Sequence, residues 1–146
     1  MEKLEIELPE KFLFSTEMEV RANDINYAGH LGNVQIIGLL DEARVRFFRW
    51  LGYDEADVEG SSSIMGDMSC QFKGEAFWGD TLIVEVTITA FFSKAYRVVY
   101  RIRHADSDKE VANAFCTLVT FDYKSRKVVP VPEAFKKRME KMLEEL

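Results

Sequence analysis

The sequence predicts an α+β chain: one long helix, a run of four or five antiparallel strands after it, and a closing helix. Three observations carry that prediction. Apolar residues recur at helical spacing from about Asn33 to Leu51, the period then drops from 3.6 to 2, and short turns separate the alternating segments. Strands joined by such turns are antiparallel neighbours.

Each element has its own signal. Thr16-Glu17-Met18-Glu19-Val20-Arg21 alternates like a strand, and Asn23 to Gly32, rich in Asn, Asp and Gly, reads as a loop. The helix that follows is closed by Gly52, where a left-handed cap residue is wanted. Projected at about 100° per residue, its apolar groups, Val34, Ile36, Leu40, Phe47 and Trp50 among them, lie nearly all round, which places it inside a protein. One polar stripe, Gln35, Glu42, Arg46 and Arg49, interrupts them, and Glu42 with Arg46 is an i,i+4 pair of the favourable order. Asp41 and Arg44 project among apolar residues on the other side, so Asp41 is either paired with Arg44 or functional.

Downstream, Ser63 to Phe72 reads as a strand and Trp78-Gly79-Asp80 as a turn. Leu82, Val84, Val86, Ile88 and Ala90 then alternate with polar residues. Tyr96 to His104 and Glu110 to Asp122 form a pair joined by Asp106-Ser107-Asp108-Lys109, and Tyr123-Lys124-Ser125-Arg126 turns into a short strand from Lys127 to Val131. Pro132 opens the last helix, Glu133 to Leu146, with Phe135, Met139 and Met142 on its apolar side.

Composition sets limits on function. The chain has 146 residues, with 25 acidic against 19 basic side chains and a formal charge of -6. A chain this long buries roughly 70% of its unfolded surface and needs no disulfide or metal to hold a core. No linker or repeat divides it, so one domain is expected over residues 1–146. Cys70 and Cys116 show no CxxC spacing and read as reduced packing residues, which points to the cytoplasm. No apolar run approaches the roughly 18 residues of a membrane span. An acidic balance without a Lys/Arg stripe argues against nucleic acid, whose affinity comes largely from neutralised phosphates. His30 and His104 offer no metal-ligand spacing, and no cofactor is called for.

Three stretches carry a resemblance. Asp24-Ile25-Asn26-Tyr27-Ala28-Gly29-His30-Leu31-Gly32-Asn33, Asp41-Glu42-Ala43-Arg44 and Gly79-Asp80-Thr81-Leu82 resemble, in order and spacing, the D-x-D-x-x-G-H-V-N-N, E-x-A-R and G-D-x-L motifs of the hotdog-fold acyl-CoA thioesterases, the group of 4-hydroxybenzoyl-CoA thioesterase. The resemblance covers most of the chain. It implies a curved antiparallel sheet wrapped around one long buried helix, hydrolysis of an acyl-CoA to free acid and CoA, and a homodimer or tetramer. A second copy is also the economical cover for so apolar a helix in so short a chain.

Two departures bear on the chemistry. Asn26 stands where many relatives have the catalytic Asp, and Gly32 replaces the first Asn of the Asn-Asn pair. An amide cannot act as a carboxylate base, so Asn26 is expected to position water or hydrogen-bond the substrate, while the proton from water must go to His30 or to a helix acid, Asp41 or Glu42. Glu42 is favoured because a neutral Asn26 beside His30 is similar to the plant-type acyl-carrier thioesterases. Backbone amides from Gly29 to Asn33 lead into the helix and suit the developing oxyanion, with Gly29 and Gly32 allowing close approach. Asp24 reads as a turn or cap acceptor and Asn33 as a helix-start residue, and either could also touch substrate. Candidate cations for CoA phosphates are Lys73, Lys94, Arg97, Lys124 and Arg126, all near strand ends or turns. The rival reading is a non-catalytic acyl-CoA or acyl-carrier binding protein in which Asn26 marks lost chemistry. A dehydratase on the same fold is a further rival, but the expected Asp and His pair on the helix side is missing.

Overall fold

The computed structural model describes residues 1–146. Six strands form one antiparallel sheet: β1 (Phe14–Glu19), β2 (Ser62–Phe72), β3 (Thr81–Phe91), β4 (Ala95–His104), β5 (Glu110–Asp122) and β6 (Lys127–Val128). Their order is β1-β3-β4-β5-β2, with β6 beside β5. Helix α1 (Asn33–Trp50) packs on one face, and α2 (Glu133–Glu144) closes the end of the sheet near the C-terminus of α1. This is the hotdog arrangement that the motifs imply.

Period-2 alternation explains the core. Leu82, Val84, Val86 and Ile88 of β3, Val98, Tyr100 and Ile102 of β4, and Ala112, Ala114 and Cys116 of β5 all turn toward α1 and are no more than 1% exposed. Ile36, Leu40, Ala43, Phe47 and Phe48 meet them from the helix. Phe135 of α2 is fully buried against Phe48, Tyr53, Phe91 and Tyr96, at centroid distances of 5.2–6.2 Å. Burying one such aromatic contributes roughly 2–3 kcal/mol.

The outer face is held by charge and by the leading segment. Glu85 Oε1 accepts from Arg101 and Arg103, and Ile6, at 8% exposure, lies where residues 5–9 cross the sheet near Val99 and Phe115. No helix is long and apolar enough to cross a membrane.

The sheet covers one side of helix α1, and within this one chain Val34 is 69% and Trp50 52% exposed. One expectation for the strands needs correction. The last strand spans Lys127–Val128 rather than running to Val131. After Val129 donates to Thr120 O, the chain leaves β5, and Val131 N–H donates to Ser93 O in the β3–β4 turn. Pro130 between them has no N–H to continue a ladder.

The sheet has two different edges. At β1, Arg46 of α1 reaches across to Thr16 Oγ1 (2.9 Å) and Glu17 O (3.0 Å), tying helix to strand. Strand β2 pairs only with β5 and leaves Ile64 and Met65 at 37% and 39% exposure.

Candidate active site

The loop before α1 organises itself. Asn26 Oδ1 accepts from Ala28 N–H (2.9 Å) and His30 N–H (3.4 Å), while Asn26 N–H donates to His30 O. Gly29, at φ 85°, closes the turn in a conformation that L side chains rarely adopt. Leu31 N–H is anchored on Ala76 O and Gly32 N–H on Asp24 O, which fixes the loop to its neighbours. His30 Nδ1 lies 3.1 Å from Leu31 O. A carbonyl can only accept, so in the neutral imidazole Nδ1 carries the proton and Nε2 is the free acceptor.

Asp24 is 4% exposed and buttresses this loop. Burial alone would raise its carboxyl, but donation from the Arg21 guanidinium and Arg21 N–H outweighs that and holds it below the usual range. Its structural side is therefore clear: it closes a capping box on the short helical turn Ala22–Asp24.

Helix α1 begins at the loop with Gly32 as N-cap, so Asn33 is the first helical residue rather than the cap. Its first main-chain bond runs from Ile36 N–H to Gly32 O (2.9 Å). The N–H groups of Asn33, Val34 and Gln35 precede that bond and have no partner within the helix. Gln35 is the residue that sequence reasoning assigned only to a polar stripe. Its side chain folds back so closely that a Cβ on Gly32 would land on Gln35 Oε1, and would lie 3.4 Å from Asn26 Cβ. The signal in the sequence was its place at the third helical position after Gly32, where a side chain can reach back to the N-cap.

The two candidate acids diverge. Asp41 pairs with Arg44 (2.6 Å), whose Nε also donates to Glu55 (2.6 Å) and whose Nη1 lies 3.5 Å from Tyr100 Oη. Burial would lower the Arg44 guanidinium's proton affinity, yet Tyr100 and Glu55 more than compensate and raise it. Tyr100 Oη continues to Cys116 Sγ (3.3 Å). Burial pushes both the Tyr100 hydroxyl and the Cys116 thiol up, so both stay protonated. Glu42 pairs instead with Arg46 (3.1 Å), half-exposed on the β1 flank. There it lines a groove of about 920 Å³ with Asp24, Gln35, Gly38, Arg46 and Trp78. Asn26, His30 and Asp41 do not line that groove, although Gln35, which does, folds back over Gly32.

The candidate cations are not gathered in one place. Lys73 follows β2 at the end of the sheet that holds the loop, beside His104 and Lys109. Lys94 sits in the β3–β4 turn at the opposite end. Arg97 lies on the outer face, its guanidinium 4.4 Å above the Phe115 ring. Arg126 stacks near Phe121 and Tyr123 beyond β5. No three His, Cys, Asp or Glu side chains form a set that could hold a metal ion. Cys70 and Cys116 are both free thiols, and burial pushes Cys70 up to about 11.

Solved structures share this architecture. A 1,4-dihydroxy-2-naphthoyl-CoA thioesterase from Synechocystis is 24% identical, with a TM-score of 0.77 over 86% of this chain and 94% of its own. A gentisyl-coenzyme A thioesterase is 17% identical, with a TM-score of 0.76 over 86% and 99%. A hypothetical protein from Thermus thermophilus is 18% identical, with a TM-score of 0.77 over 88% and 98%. No curated protein sequence matches the chain. Residues 20–139 match the thioesterase-like superfamily, taking in the loop, α1, the five strands β2 to β6 after it and most of α2. The chain belongs to the thioesterase-like superfamily.

Proposed function

We propose that the protein hydrolyses an acyl-CoA thioester to a free acid and CoA. The observation that carries this reading is the open N-terminus of α1, delivered by the Gly29–His30 loop in a chain of the thioesterase-like superfamily. As water attacks the thioester carbonyl, negative charge grows on its oxygen. The N–H groups of Asn33, Val34 and Gln35, at the positive end of the helix dipole, are donors for it. Collapse of the tetrahedral intermediate expels the CoA thiolate, which takes up a proton.

Two acceptors can take the proton from water. Nε2 of His30 is in the loop itself, and Glu42 opens onto the groove. Of the helix acids, Glu42 is favoured because Asp41 is tied to Arg44 and through it to the core. Glu42 is nine residues along α1 from Asn33, about 13 Å of axial rise. It can act only on a thioester carbonyl that lies further along the helix at the groove, whereas His30 serves one held at the N-terminal amides. Asn26 spends its oxygen on its own loop, so its remaining role is to hold His30 in place and to offer its Nδ2 donors.

The protein acts as a homodimer in this reading. Strand β2 is a free edge 11 residues long with exposed Ile64 and Met65, and such an edge is a template for pairing. Antiparallel pairing of two β2 edges would bring the end of a second copy that carries Lys94 and Arg126 level with the loop of the first. Phosphate contacts would then be shared between copies, and Arg97 on the outer face would stand apart from them. Free cysteines with protonated thiols suit a reducing cytoplasm.

Release of free thiol from a panel of acyl-CoAs, including dihydroxynaphthoyl, gentisyl and straight-chain members, tests the reading. Turnover above the buffer rate on at least one member is expected. Binding without turnover would instead establish the non-catalytic acyl-CoA carrier, which the closed Asn26 loop favours as the second reading.

A further inference from the structure

Helix α1 carries a glycine, Gly38, in its second turn, where glycine is less favourable than alanine. The chain itself does not require it. A Cβ on Gly38 would meet nothing within 4 Å, and its backbone is ordinary right-handed helix. The missing side chain leaves space on the groove, with Gln35 one turn before and Glu42 one turn after.

The charge of the groove restricts what can use that space. Glu17, Glu19, Asp24 and Glu42 line it against Arg21 and Arg46, and both guanidiniums are already paired, with Asp24 and Glu42. A phosphate would be repelled, whereas an uncharged chain with amide or carbonyl groups would not. Gln35 offers both a donor and an acceptor to such a chain. The groove runs from Gln35, whose side chain turns back over Gly32 at the start of α1, to the Glu42 carboxylate.

We propose that the uncharged stretch of the substrate around the thioester lies across α1 at Gly38, with the Gln35 carboxamide as its positioning residue. This rests on the thioesterase reading and adds a path to it. A side chain at position 38 would stand between Gln35 and Glu42 and lift the thioester away from both. Gln35, whose carboxamide lies close over Gly32, orients the uncharged stretch along the groove.

Gly38→Ala and Gly38→Leu test the path, read by acyl-CoA hydrolysis, by affinity for a non-hydrolysable thioether of CoA, and by thermal unfolding. Gly38→Ala is expected to unfold at a higher temperature than the wild type and yet lose at least tenfold in kcat/KM, with Gly38→Leu losing more and binding the thioether more weakly. A purely structural glycine would show the stability gain alone. Gln35→Ala is expected to lower kcat at least tenfold with KM within threefold. An active wild type whose Gly38 variants keep full kcat/KM overturns the path and leaves the thioesterase reading intact. A changed sedimentation coefficient in Gly38→Ala with unchanged kinetics assigns the space to a second copy and also overturns it. A wild type that neither hydrolyses thioesters nor binds the thioether removes both.

Discussion

The two flanks of helix α1 carry the same chemistry under opposite conditions. On the side toward the β4–β5 core, Asp41 meets Arg44, a guanidinium only 10% exposed that also holds Glu55 and reaches Tyr100. On the side toward β1, Glu42 meets Arg46, with the two side chains 51% and 40% exposed beside an open groove. Asp41 and Glu42 are adjacent in the chain and both exposed, at 62% and 51%, but about 100° of rotation separates an acid held by a buried guanidinium from one that lines the groove. An ion pair tied into a buried network is costly to disturb, whereas an exposed one costs little and leaves its carboxylate free to change partners. The difference assigns structure to one flank and chemistry to the other.

The largest expected effect tests that assignment directly. Glu42→Gln should lower kcat on the order of 10²-fold or more, the usual range for removing a general base. Asp41→Asn should stay within tenfold, and steady-state hydrolysis of one good acyl-CoA decides between them. The opposite ranking would move the chemistry to the Arg44 flank, and equal small effects would leave His30 as the acceptor.

Stability should show the reverse order. Arg44→Met should cost about 2–3 kcal/mol by urea unfolding, because Glu55, Asp41 and Tyr100 lose their shared partner. That figure is below the range for a fully buried pair because Asp41 and Glu55 can regain water at 62% and 26% exposure. Arg46→Met should cost about 1 kcal/mol. That is more than an isolated helix pair, because its bonds to Thr16 and Glu17 O also tie β1 to α1. Equal losses at the two sites would remove the contrast between the flanks.

The smallest effect lies in acid. The Asp24 carboxyl is held below its unfolded value, so its contribution to stability is complete above the ordinary carboxylate range and is lost as pH falls through the lower, folded value. Asp24→Asn should flatten the acid limb of a plot of unfolding midpoint against pH, without changing its neutral region in slope. An unchanged acid limb would mean that Arg21 does not hold the carboxylate in solution.

Much of this architecture was legible from local pattern. The predicted helix from about Asn33 to Leu51 and the observed Asn33–Trp50 agree because amphipathic spacing and a glycine at φ 91° directly after the helix are both short-range signals. The strands from β2 to β5 were legible for the same reason, since alternation and turn residues act over a few positions. In the site, the Asn26–Gly32 loop was readable as a loop feeding a helix. The Arg44–Glu55 bond spans 11 residues and Arg44–Tyr100 spans 56, and no periodicity within a segment announces a pairing of that kind. Gln35 was visible as a polar residue on a stripe, but its contact with the Gly32 backbone depends on a rotamer.

The order of elements, the faces they bury and the motif that marks the loop before α1 were determined by the sequence alone, because each follows from backbone geometry and side-chain polarity over one or two turns. Which acid is anchored and which is open, which edge of the sheet is tied and which is free, and where the helix is left uncovered were decided only by the tertiary structure. Those properties depend on what packs across the helix from strands tens of residues away, and burial is a property of that packing.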